Sequence, residues 1–129
     1  MIDSYNPLNA PDPGEWLELP EEERAMIVTD YHLRHDDEEF EDGSLQIHSV
    51  IHVVVENQIA LGDEYPVKQT AERLMEEGLD RHDAIHAIGS VLAKYLWEVG
   101  KGEASEDFSN DYFEELKTFT ANDWLDEYS

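Results

Sequence analysis

Two histidine pairs, His48/His52 and His82/His86, each spaced four residues apart, constrain this chain more than any other feature. On a strand, His48 and His52 would share a face but sit roughly 13 Å apart along it, too far to hold one ion. On a helix the same pair is separated by about 6 Å of rise and points one way. The first pair runs on to Glu56 one turn later. Two such helices side by side bring imidazole and carboxylate donors to a common point, as in bundles that hold metals. Only six histidines occur in all, so four of them in two pairs is a marked concentration.

The segments around the pairs support helices. Residues 81–99 follow Asp80 as a cap and carry Ala84, Ile85, Ile88, Val91, Leu92, Tyr95, Leu96 and Val99 at helical period, with Gly100 and Gly102 beyond. Residues 66–77 open on a proline, turn Ala71, Leu74 and Met75 inward and stop at Gly78. Residues 44–61 contain the β-branched run Val50, Ile51, Val53, Val54 and Val55, so a strand competes there. A helix is favoured because no hairpin turn interrupts the segment and its neighbours are helical in pattern. Pro20 and three glutamates start another helix, running to about Arg34 with Ile27 and Tyr31 inward. The tail reads as two short helices, 110–119 and 122–128, with Thr120 and Asp123 forming a capping box.

Before these helices, residues 1–19 carry Pro7, Pro11, Pro13 and Gly14 and read as an irregular arm whose Trp16, Leu17 and Leu19 tuck onto the core. The stretch 36–43 holds six acids and ends on Gly43, a solvated loop without the ligand order of an EF-hand. The expected fold is all-α: a small bundle of about four main helices plus two short C-terminal ones, forming a single domain over 20–129.

Projection of 44–61 at about 100° per residue places Leu45, Ile47, Val50, Ile51, Val54, Val55 and Ile59 on the apolar arc. His48 and His52 fall inside that arc and Glu56 at its edge. His82 and His86 flank the apolar face of 81–99 beside Gly89 and Ala93, whose small size admits a neighbouring helix. His48, His52, Glu56, His82 and His86 are therefore candidate metal ligands, and His32 joins them as a further candidate. Imidazole plus carboxylate suits a divalent transition metal: zinc, iron, manganese or nickel. The alternative is an apolar core with hydrogen-bonded histidines, since buried imidazoles without partners cost desolvation.

Absent cysteine excludes disulfides, thiolate metal sites and cysteine nucleophiles. A formal charge of −24, from 32 acids against 8 bases, excludes a nucleic-acid-binding surface. The acids are spread along the chain, which reads as a solvated or salt-adapted surface; a basic protein partner, with the chain acting as a DNA mimic, is the alternative. No apolar run is long enough to span a bilayer, and residues 1–10 lack a secretory pattern, so a cytoplasmic protein is expected. A homo-oligomer packed through Trp97 and Trp124 is open. No nucleophile elbow, phosphate loop, dinucleotide fingerprint or HExxH occurs, so no reaction is named; a catalytic metal would need an open position, with Glu56 as ligand or general base.

Segments 47–61 (IHSVIHVVVENQIAL) and 72–92 (ERLMEEGLDRHDAIHAIGSVL) resemble small uncharacterised bacterial proteins of the DUF1841 type. There a His-x-x-x-His helix running into a Glu-Asn-Gln or Glu-Gln element precedes a second His-x-x-x-His helix. Tyr31-His32 and the tail around Thr120–Trp124 are similar too, so the resemblance covers most of the chain from about Trp16. It implies that His48, His52, Glu56, His82 and His86 belong to a shared pattern. It implies no activity.

Overall fold

The computed structural model describes residues 2, 4–35, 44–102 and 108–128, with backbone alone at 35, 44–46, 108, 127 and 128. The acidic stretch 36–43 lies outside the described residues. Among those described, the chain is all-α: α1 (Pro13–Glu18), α2 (Glu21–His35), α3 (Ser44–Ala60), α4 (Val67–Glu76), α5 (Arg81–Gly100), α6 (Phe108–Thr118) and α7 (Ala121–Tyr128), with a 3-10 turn at Gly62–Glu64. No described helix is long and apolar enough to cross a membrane.

The helix starts are set by local polar chemistry. Asp80 accepts from the backbone N–H of Asp83 at 2.7 Å, capping α5. Thr120 and Asp123 exchange side-chain-to-backbone bonds at 3.0 and 3.1 Å, so the capping box before α7 forms with Asp in the usual Glu position. Asp12 likewise accepts from Glu15 N at 3.0 Å and Pro13 stands in the first turn. This cap corrects the expectation of an irregular arm: α1 is a short helix there, and it drives Trp16 fully into the core. At the other end of α4, Gly78 adopts φ 116°, a conformation open to glycine at no steric cost.

The β-branched run of α3 is helical, and this helix is the centre of the bundle, packing against α1, α2, α4 and α5. Its surroundings explain why tertiary burial outweighs β-propensity. One apolar cluster, with Val55, Leu74, Ile85, Ile88 and Leu116, joins α3 to α4, α5 and α6. A second, with Tyr5, Trp16, Leu19, Val28 and Val53, joins it to the arm and α2.

Three consecutive α3 residues bind these layers together. Glu56 takes Arg81 of α5 and Tyr5 of the arm. Asn57 Oδ1 accepts from Trp16 Nε1 and Arg24 Nη1, both at 2.9 Å. Gln58 accepts from the Tyr112 hydroxyl of α6 at 2.9 Å. The Glu-Asn-Gln element is thus a polar clamp reaching in three directions.

Ile47 and Val50, placed on the inward arc by projection, are 63 % and 52 % exposed, while Val53 is buried. Apolar residues nearly encircle α3, so its projection has no polar side from which to orient the arc. Leu96 and Val99 of α5 are also exposed.

Candidate metal centre

Where α2, α3 and α5 converge, the chain places five imidazoles in one group. His32 comes from α2, His48 and His52 from α3, and His82 and His86 from α5. Ring centroids of His32 lie 4.5 Å from His48 and 4.6 Å from His52; His86 lies 4.9 Å from each of those two. One donor nitrogen from each of His32, His48, His52 and His86 falls within 4.8 Å of the others, so these four could hold a single ion. An ion bound tetrahedrally at about 2.0–2.1 Å needs donors roughly 3.4 Å apart, so the group would contract by about an ångström. His82 stands beside this set, 4.2 Å from His86 and 5.6 Å from His52.

The second ring nitrogen settles the proton of two of these rings. His32 Nδ1 lies 2.8 Å from the carbonyl oxygen of Val28, one turn earlier on α2. A carbonyl only accepts, so Nδ1 carries the hydrogen and Nε2 a lone pair. The Tyr5 hydroxyl donates to Glu56 Oε2 at 2.5 Å and lies 3.2 Å from His52 Nδ1. With its own proton committed to the carboxylate, Tyr5 accepts from His52 Nδ1–H, and His52 Nε2 is again the lone-pair atom. A metal-ligating histidine holds its other N–H in the same way, on a carbonyl or a carboxylate-linked acceptor. The Nε2 atoms of all five rings are buried, and those of His52 and His86 have no hydrogen-bond partner among the described residues.

Glu56 is 1 % exposed and does not join the donor group. Arg81 holds it in a fork, Nη2 to Oε1 at 2.7 Å and Nη1 to Oε2 at 2.9 Å, while Nη1 also donates to the Pro7 carbonyl. Burial opposes the Arg81 charge, but the hydrogen bond and charge of Glu56 outweigh it and raise the guanidinium further. Burial, then the Glu56 charge, lifts the Tyr5 hydroxyl well above its ordinary range, keeping it a donor. Burial lowers His52, reinforced by the imidazoles around it, and lowers His86 to about 3. These two rings are therefore neutral near pH 7, the form in which imidazole ligates metals.

Tyr5 and Arg81 are central here and were not among the sequence candidates. Tyr5 sits in a proline-rich arm, 47 residues from His52, and nothing local marks it. Arg81 did carry a signal: a cation in the first turn of α5 sits against the helix dipole, which favours acids there. Its Glu56 pairing explains the exception.

The fold and this cluster define a small all-helical protein with a buried polyhistidine centre. A family model described as a domain of unknown function (DUF1841) matches residues 16–118, and the chain belongs to that family. The matched span includes all five imidazoles and Glu56, but not Tyr5. No curated protein and no solved structure matches the chain.

Proposed function

We propose that this protein binds one divalent transition metal through Nε2 of His32, His48, His52 and His86, with His82 alongside. Glu56 acts through Tyr5 on His52 and does not touch the ion. One observation carries the reading: His32 and His52 each spend Nδ1–H on an outer acceptor, which leaves Nε2 as the lone-pair atom of two rings that belong to a four-histidine donor group. A core of merely satisfied histidines has no need of that arrangement, and the buried Nε2 atoms of His52 and His86, without a hydrogen-bond partner among the described residues, would each cost about 1–3 kcal/mol. Neutral all-nitrogen donors suit zinc, iron or nickel better than manganese, which favours oxygen.

The test is elemental analysis of untagged protein before and after chelator washing, followed by titration with zinc. About one equivalent, lost on washing and regained on titration, is expected. His52→Ala and His86→Ala should each abolish rebinding. Less than about 0.1 equivalent with no rebinding would sink the proposal.

A further inference from the structure

His48, His52 and His86 form one wall of a cavity of about 250 Å³, whose remaining walls are Ile51, Ile85, Gly89, Ser90, Ala93 and Trp124. Ile51 and Ala93 also line a neighbouring groove of about 520 Å³ between α3 and α5, whose other walls are Ile47, Val50, Leu96 and Trp97. Ile47 and Trp97 are 63 % and 69 % exposed. Apart from Ser90 and the imidazoles themselves, the residues that line the cavity and the groove are apolar or aromatic.

Charge identifies what belongs in the cavity. Four neutral imidazoles contribute no charge, so a bound dication keeps both of its own in a buried setting, where uncompensated charge is costly. Glu56 cannot offset it, because its charge is matched by Arg81 at 2.7 Å. An anionic oxygen ligand entering from the cavity would. A second copy of this chain is a poor occupant of the groove, since each copy carries −24. A single anion feels that field far less, screened over about 8 Å at physiological salt and facing a local dication.

Resting on the metal reading above, we infer that the site takes a monocarboxylate with an unbranched hydrocarbon tail. The carboxylate enters from the cavity as a fifth ligand, expanding the four-histidine set to five-coordination, and the tail lies along the groove over Ile51 and Ala93. Recognition then has two separable parts, a charged head read by the metal and a chain length read by the groove.

The experiment uses the cobalt(II)-loaded full chain. Cobalt stoichiometry is measured first, then acetate, butanoate, hexanoate and octanoate are titrated at fixed ionic strength, following cobalt visible absorption and tryptophan fluorescence. Affinity should rise about fourfold for each methylene that enters the groove. Val50→Asp, on an exposed groove position, should flatten that gain, and cobalt stoichiometry measured on the same variant separates loss of the metal from loss of the tail contact. Hexanol should bind more weakly than hexanoate. Cobalt binding with constants level from acetate to octanoate overturns the inference and leaves the metal reading standing. A wild-type dimer dissociated by Val50→Asp and indifferent to octanoate places a second copy in the groove and overturns it as well. Failure to bind cobalt removes both.

Discussion

Tyr5 donates its hydroxyl proton to Glu56 across 51 residues of sequence, at 2.5 Å, and so ties the arm to the underside of the imidazole cluster. The same oxygen lies 3.2 Å from His52 Nδ1. A charge held by Arg81 thereby reaches a ring that faces the proposed ion, without a carboxylate entering the donor group. The relay orients His52 and raises its basicity as a ligand.

Tyr5→Phe should therefore weaken metal binding without removing a ligand. Loss of such an outer partner typically costs 10–100-fold in affinity. Competition of zinc between the variant and a chromophoric chelator reads this directly. Stability of the metal-free form should fall by about 1–3 kcal/mol, because Glu56 and His52 each lose a buried partner. An unchanged zinc affinity would detach Tyr5 from the site.

The Glu56–Arg81 pair predicts a strong asymmetry between breaking and removing it. Arg81→Met leaves a buried carboxylate uncompensated and should cost about 3–5 kcal/mol in urea unfolding. Combining it with Glu56→Gln removes the charge and should recover part of that loss. Equal destabilisation in the single and double variants would mean that the pair is not coupled in the folded state.

What the sequence made legible follows from which signals are local. The caps at Asp80 and Thr120 and the glycine stop at Gly78 act within four residues, and each is where the pattern placed it. The pairs His48/His52 and His82/His86 converge because a helix converts a spacing of four into a shared face. Two things were not local. The arc of α3 is ambiguous because apolar residues surround it, so helical projection turns Ile47 and Val50 inward although both are exposed. The role of Glu56 depends on Arg81, 25 residues away, and on Tyr5, both brought to it by tertiary packing. Helical spacing brings Glu56 to the neighbourhood of the histidines, but its partners decide what it does there.

The lowered histidines predict a pH dependence in the metal-free protein. Unfolded imidazoles titrate near 6.5, whereas His52 and His86 in the fold accept protons only at lower pH, His86 at about 3. Between those values the unfolded chain binds more protons, so stability is complete above about pH 6.5 and declines as pH falls. Each such histidine contributes a slope of about 1.4 kcal/mol per pH unit, roughly 2.7 for the two together. Urea midpoints in chelator should drop between pH 6.5 and 4.5, before most carboxylates titrate. In His86→Gln the slope should be shallower by about one proton. A midpoint level across that window would mean that the cluster is not held neutral.

Gly89 tests the geometry that lets α3 and α5 share the site. A Cβ at this position would stand 2.8 Å from Ile51 Cγ2, closer than side chains pack. That methyl branches directly from the Ile51 Cβ, so it cannot swing away like the end of a long side chain; the helices must separate or Ile51 must leave its rotamer. Alanine is the better helix former by about 1 kcal/mol, and overpacking typically costs about 1–3 kcal/mol. Gly89→Ala should therefore destabilise the protein by about 1 kcal/mol despite the propensity gain. It should also weaken zinc binding, because separation at Gly89 draws His86, one turn earlier on α5, away from His48 and His52. Gly89→Ala combined with Ile51→Val retains the clash with Cγ2, whereas combination with Ile51→Ala relieves it. Recovery of zinc affinity in the second double variant and not in the first would tie the metal centre to this contact; a stabilised Gly89→Ala single variant would refute it.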